Sequence, residues 1–104
     1  MDHFQYKNGI LYGEGVSLAE IAAQVGTPFY AYSSATLTRH FHAVDAALQG
    51  MDHLVCFAMK AASNQAIIKT LSGLGAGMDV VSGGEYRRAI AAGVAPERIV
   101  FSGV

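Results

Sequence analysis

Short, almost wholly apolar runs recur along this chain at intervals of roughly 20–25 residues, and an amphipathic pattern fills each gap. From residue 29 the runs are Phe29-Tyr30-Ala31-Tyr32, Leu54–Met59, Met78-Asp79-Val80-Val81 and Ile99-Val100-Phe101. In the first gap, Leu37, Phe41, Val44 and Leu48 lie at helical spacing, with Ser33 or Ser34 as cap and Gly50 as stop. In the second, Ile67, Ile68, Leu71 and Leu74 form the inner face of a helix capped by Ser63 or Asn64. In the third, Ser82-Gly83-Gly84-Glu85 reads as a capping box opening a helix through Tyr86, Ala89 and Ile90 that stops at Gly93. Continuous apolar strands alternating with amphipathic helices predict an α/β fold, a parallel sheet covered by helices. The unit is either a small open sheet or the first part of a (β/α)8 barrel. A whole barrel takes at least about 200 residues, and this sequence has 104.

Ahead of these units, Phe4–Tyr6 and Ile10–Tyr12 flank Lys7-Asn8-Gly9, a hairpin signal. Ser17-Leu18-Ala19-Glu20 then starts a helix whose apolar face is Leu18, Ile21, Ala22 and Val25, and Gly26 ends it before Pro28.

Composition narrows the function. The chain is 52% hydrophobic and 14% charged, which places it among folded rather than disordered chains. Its formal net charge is −1 and it has no long basic block, so nucleic acid and anionic membrane surfaces are not expected partners. No apolar stretch is long enough to span a bilayer. Met1–Lys7 lacks a signal-peptide core. The single cysteine, Cys56, lies in an apolar run, reads as a small buried residue and leaves no intrachain disulfide to form. A cytoplasmic location is expected.

Lys60 follows the second apolar run directly. A lysine at the exit of a buried strand loses hydration, so its ammonium needs a partner or sheds its proton and becomes a nucleophilic amine. Such an amine can form a Schiff base with pyridoxal phosphate. The plainer alternative is a lysine whose stem lets it reach solvent. Asp79 interrupts the next run, where a carboxylate must be paired or face a polar cavity. Lys60 is its natural partner, and a water-facing position on an edge is the alternative. Glu85 is the fourth residue of Ser-x-x-Glu and so also serves as a helix cap. The Gly73–Gly77 and Gly83-Gly84 stretches lack the pattern of a nucleotide or dinucleotide phosphate loop. His3, His40, His42 and His53 have no zinc spacing and read as surface residues, so no metal is assigned.

Two segments carry a resemblance. Phe57-Ala58-Met59-Lys60-Ala61-Ala62-Ser63-Asn64 resembles the cofactor-lysine segment of the fold-type III pyridoxal-phosphate decarboxylases. Gly75–Glu85 resembles their next block, and its Ser-Gly-Gly-Glu form is more similar to the diaminopimelate decarboxylases than to the ornithine or arginine decarboxylases. Thr27–Tyr32 and Pro96–Gly103 match in style and order, so the likeness covers nearly the whole chain.

The resemblance implies an alanine racemase-like (β/α)8 TIM barrel joined to a β domain, and a homodimer. Residues 1–27 would be a hairpin and helix packing on the β domain, and 28–104 the truncated first part of the pyridoxal-phosphate-binding barrel. Lys60 would carry pyridoxal 5'-phosphate as the catalytic residue, and Asp79 and Glu85 would line the cofactor pocket. The reaction implied is decarboxylation of meso-2,6-diaminopimelate to L-lysine, the last step of lysine biosynthesis. The alternatives are ornithine, arginine or carboxypolyamine decarboxylation on the same fold, or a non-catalytic α/β binding module. One departure stands out: the family commonly has Asn two residues after its lysine, where this chain has Ala62. The phosphate loop, the stacking histidine and the substrate-binding residues would all lie beyond Val104, so the piece alone is expected to be inactive.

Overall fold

Asn8 and Gly9 both have positive φ, 51° and 78°, and together they fold β1 (Phe4–Lys7) back onto β2 (Ile10–Gly13). This is the two-residue turn whose twist matches that of paired strands. The structure is a computed structural model that describes residues 2–104. It divides into two compact units, one ending at Thr36 and one spanning Leu37–Val104.

In the first unit the hairpin pairs Phe4 with Gly13 and Lys7 with Ile10. A short third strand, β3 (Val16–Ser17), adds to β2 after a second turn, which the sequence pattern did not foretell. Helix α1 (Leu18–Val25) starts as expected: Ser17 Oγ accepts from the Glu20 amide at 3.4 Å, and Gly26 closes it with φ 81°. Helix α2 (Ser34–Ala47) is capped by Ser33, whose Oγ accepts from the Thr36 amide at 3.0 Å. Glu14 reinforces that cap from 19 to 21 residues away. Its Oε1 accepts from Ser33 Oγ at 2.7 Å and from the Ala35 amide at 2.9 Å. A carboxylate is favoured at a helix N-terminus, where amides lack intrahelical partners.

Phe29–Tyr32 was expected to be a strand and is not one. Tyr30 and Tyr32 stack with centroids 6.3 Å apart, so alternate rings share a side. No strand among the described residues pairs with the segment, and a strand exists only through its ladder.

The second unit is built on a parallel sheet of order β4-β5-β6, comprising Cys56–Ala58, Gly77–Val80 and Ile99–Phe101. Helix α3 (Gln65–Gly73) crosses from β4 to β5, and α4 (Gly83–Ala91) from β5 to β6. The core between sheet and helices holds Met59, Ile67, Ile68, Leu71, Met78, Val80 and Ala89, with Phe41 from α2. The apolar run before Lys60 spans more residues than its strand. Leu54 and Val55 precede β4, and Met59 turns off into a 3-10 turn, Met59–Ala61. Val44, in the apolar row expected of α2, is exposed, as are Tyr86 and Ile90 of the helix after β5. A sheet of three short strands cannot cover the full apolar stripe of each helix.

The central strand β5 begins at Gly77 for a steric reason. A Cβ there would lie 2.6 Å from the Arg98 carbonyl oxygen and 2.8 Å from Cys56 Sγ. The Gly77 amide also donates to the Val55 carbonyl at 2.9 Å. Gly77→Ala must therefore push β4 and β6 apart, and it is expected to cost about 1–3 kcal/mol in urea unfolding. An unchanged urea midpoint would contradict that packing.

The bonds to Glu14, first from the Ala35 amide and then from Ser33, hold its carboxyl pKa below the usual range. Its folded pKa is thus below its unfolded one, so its stabilisation is complete above the unfolded value and disappears as pH falls through the folded one. Between about pH 5 and pH 3, Glu14→Gln should flatten the acid-side fall of the thermal midpoint relative to the parent. Superimposable pH profiles would count against this role.

Candidate active site

In a parallel sheet all strands end on one side, and reactive groups gather there. Lys60 sits in the middle of the 3-10 turn that leaves β4, and its side chain is exposed. The expectation that strand burial would strip its hydration is therefore corrected. The chain leaves the sheet before Lys60, because pairing ends at Ala58 opposite Asp79.

Asp79 lies on the central strand, in register with Ala58 on one side and Val100 on the other. It is not the edge carboxylate that the pattern also allowed. Its Oδ1 is buried with no hydrogen-bond partner. No ion pair with Lys60 forms among the described residues, so the expected pairing is corrected as well. Leaving a buried carboxylate oxygen unpartnered is unfavourable, and such an atom points to a group absent from the fold itself.

The turn after β5 leads straight into α4. Ser82 Oγ accepts from the Glu85 amide at 3.1 Å, while Glu85 Oε2 accepts from the Val81 amide at 2.7 Å. Glu85 is thus occupied as a reciprocal helix cap, a role the sequence already allowed. It is half-buried and stands at the same sheet end as Lys60. On the next turn of α4, Arg88 donates to the Ser63 carbonyl at 2.9 Å and lies 3.4 Å from Ser63 Oγ. Asn64, not Ser63, caps α3 by accepting from the Ala66 amide.

Cys56 starts β4, opposite Gly77 and at the other end of the strand from Lys60. Burial pushes its thiol pKa up, the Asp79 charge adds to that rise, and Arg98 opposes it. The thiol therefore stays protonated and is a poor nucleophile. Arg98 donates to the Gly75 carbonyl and ties the turn before β5 to the segment before β6. His40 and His42 are exposed on α2, while His53 bonds to Met51 O and Asp45 Oδ1. No cluster of three metal-ligating side chains occurs among the described residues.

Comparison with known proteins settles the family. Residues 34–104 match the model of the pyridoxal-dependent decarboxylase pyridoxal binding domain. The chain belongs to the pyridoxal-dependent decarboxylases. Diaminopimelate decarboxylase of Pseudomonas fluorescens is 52% identical over 104 residues, covering 100% of this chain and 25% of that protein. A crystal structure of an Aquifex aeolicus protein superposes with TM-score 0.92 at 48% identity, covering 98% of this chain and 25% of that one. Diaminopimelate decarboxylase from M. jannaschii in complex with L-lysine gives TM-score 0.84 at 33% identity, covering 98% and 25%. The chain thus spans about a quarter of the length of these relatives. Pyridoxal 5'-phosphate is the cofactor that goes with this domain.

Sequence reasoning singled out Lys60, Asp79 and Glu85, and the structure places all three at or near one end of the sheet; sequence reasoning did not single out Arg88. Its partner is a backbone carbonyl on another helix-capping loop, and only the packing of α3 against α4 reveals it. Ser82→Ala removes one half of the reciprocal cap and should cost about 1 kcal/mol in chemical denaturation. Glu85→Gln, which keeps an acceptor for the Val81 amide, should cost clearly less. Equal losses would show that the carboxylate charge, not the acceptor geometry, holds the turn.

Proposed function

We propose that the full-length protein is a diaminopimelate decarboxylase, removing the D-centre carboxylate of meso-2,6-diaminopimelate to leave L-lysine. The observation that carries this reading is Lys60, exposed at the end of β4 two residues after Ala58, whose register partner Asp79 holds a buried, unpartnered carboxylate oxygen. The 52% identity to a diaminopimelate decarboxylase supports the substrate over ornithine, arginine or a carboxypolyamine.

The residues fit the cofactor. An exposed amine can attach to an aldehyde, and an orphaned carboxylate oxygen can hold positive charge beside it. When bound, pyridoxal phosphate supplies the electron sink for the carbanion left by the departing carboxylate. Lys60 would anchor it through Nζ and take up a proton there when substrate displaces it. Asp79 would favour that protonated amine by charge, from a strand rigid on both sides. Glu85 would line the pocket, its carboxylate already fixed by the Val81 amide.

The proposed setting is the first part of an alanine racemase-like (β/α)8 barrel spanning 28–104, with 1–27 packing on a β domain, in a homodimer. The parallel β4-β5-β6 order with helical crossovers supports that architecture.

Borohydride treatment of the full-length protein with pyridoxal phosphate should label Lys60 and no other lysine. Lys60→Arg should lower kcat by at least about 1,000-fold. Carbon dioxide release from meso-diaminopimelate but not from ornithine is expected. A label on another lysine would defeat the anchor assignment, and release from ornithine alone would defeat the substrate.

A further inference from the structure

The loop that carries Lys60 is short: Met59 at its start is buried in the core and Ala62 packs against that core, while polar ties to it are few. It runs from the 3-10 turn through Ala62 and Ser63 to the α3 cap at Asn64. Lys60 and Ala61 are exposed, and Ala62 and Ser63 are half-buried. Beyond the Asn64 cap itself, the long-range hydrogen bond on this loop comes from Arg88. Its Nη1 donates to the Ser63 carbonyl at 2.9 Å and approaches Ser63 Oγ at 3.4 Å.

Arg88 lies three residues after Glu85, so both side chains stand on neighbouring turns of one α4 face. Glu85 fixes the start of that helix through Val81, and Ser82 caps it. Helix α4 is thereby tied at one end to the strand bearing Asp79 and on its flank to the loop bearing Lys60. A charged donor on a backbone carbonyl is among the stronger hydrogen bonds, and arginine holds its geometry with little loss of freedom. The neighbouring position Ala62 offers no polar side chain to do the same work.

We propose that Arg88 is a positioning residue for the cofactor lysine, holding the 61–64 loop through the Ser63 carbonyl so that Lys60 stays over the Asp79 end of the sheet. The proposal rests on Lys60 being the cofactor anchor. It assigns Arg88 no contact with cofactor or substrate.

The test uses the full-length protein with pyridoxal phosphate. Arg88→Met should weaken cofactor binding by about tenfold or more, and should speed hydrogen exchange at the 61–64 amides selectively. Arg88→Lys, which can still reach one carbonyl, should recover part of both losses. The borohydride label should remain on Lys60 in every variant. If Arg88→Met does not fold, Arg88→Gln shortens the donor and is read the same way. A lowered thermal midpoint with cofactor affinity within twofold of the parent would overturn the proposal, leaving Arg88 a purely structural link. If the parent itself takes the label away from Lys60, the anchor assignment fails instead, so the two failures are distinguishable.

Discussion

The missing side chain at Gly77 is the constraint on which the second unit depends. Three strands can meet there only because nothing projects from the first residue of β5. The Arg98 carbonyl and the Cys56 sulfur occupy the space that a methyl group would need. That close approach sets the register that places Asp79 between Ala58 and Val100. It also fixes where pairing ends, and so where the chain turns off to present Lys60. A shift of one residue would move Asp79 to the opposite face of the sheet.

From that register the chemistry of the site follows. A buried carboxylate oxygen without a partner is costly, which makes Asp79 Oδ1 a natural contact for a further group. The exposed amine, in the turn just past β4, and the orphaned oxygen on β5 do not neutralise one another. In the proposed site each would be free to meet the cofactor, whereas a formed ion pair would have to be broken first. Glu85 and Arg88 both serve the backbone, one at a strand exit and one at a loop. The helix after the central strand therefore acts as the brace of the site.

Much of this was legible in the sequence, for identifiable reasons. Caps are local, so Ser17 and Ser82 stand where the pattern put them, and Asn64 is one of the two residues it offered for α3. The α3 face of Ile67, Ile68 and Leu71 is buried as its spacing implied, while Leu74, expected on the same face, caps the helix end and is half-buried. Phe29–Tyr32 misled, since strand character depends on a neighbour that local pattern cannot supply. Val44 misled for the same reason, because periodicity marks an apolar face but not what covers it. The support that Glu14 gives to the α2 cap could not be foreseen, because it bridges 19 and 21 residues to reach a hydroxyl and an amide rather than an opposite charge. At the site, residue types pointed to Lys60 and Asp79, but only geometry shows that they do not pair.

The most direct measurement is an experimental structure of the full-length protein with pyridoxal phosphate bound. Density should run unbroken from Lys60 Nζ into the cofactor, with Asp79 Oδ1 now partnered at hydrogen-bond distance. Cofactor density joined to a different lysine, with Asp79 Oδ1 still unpartnered, would contradict the central role given to this end of the sheet.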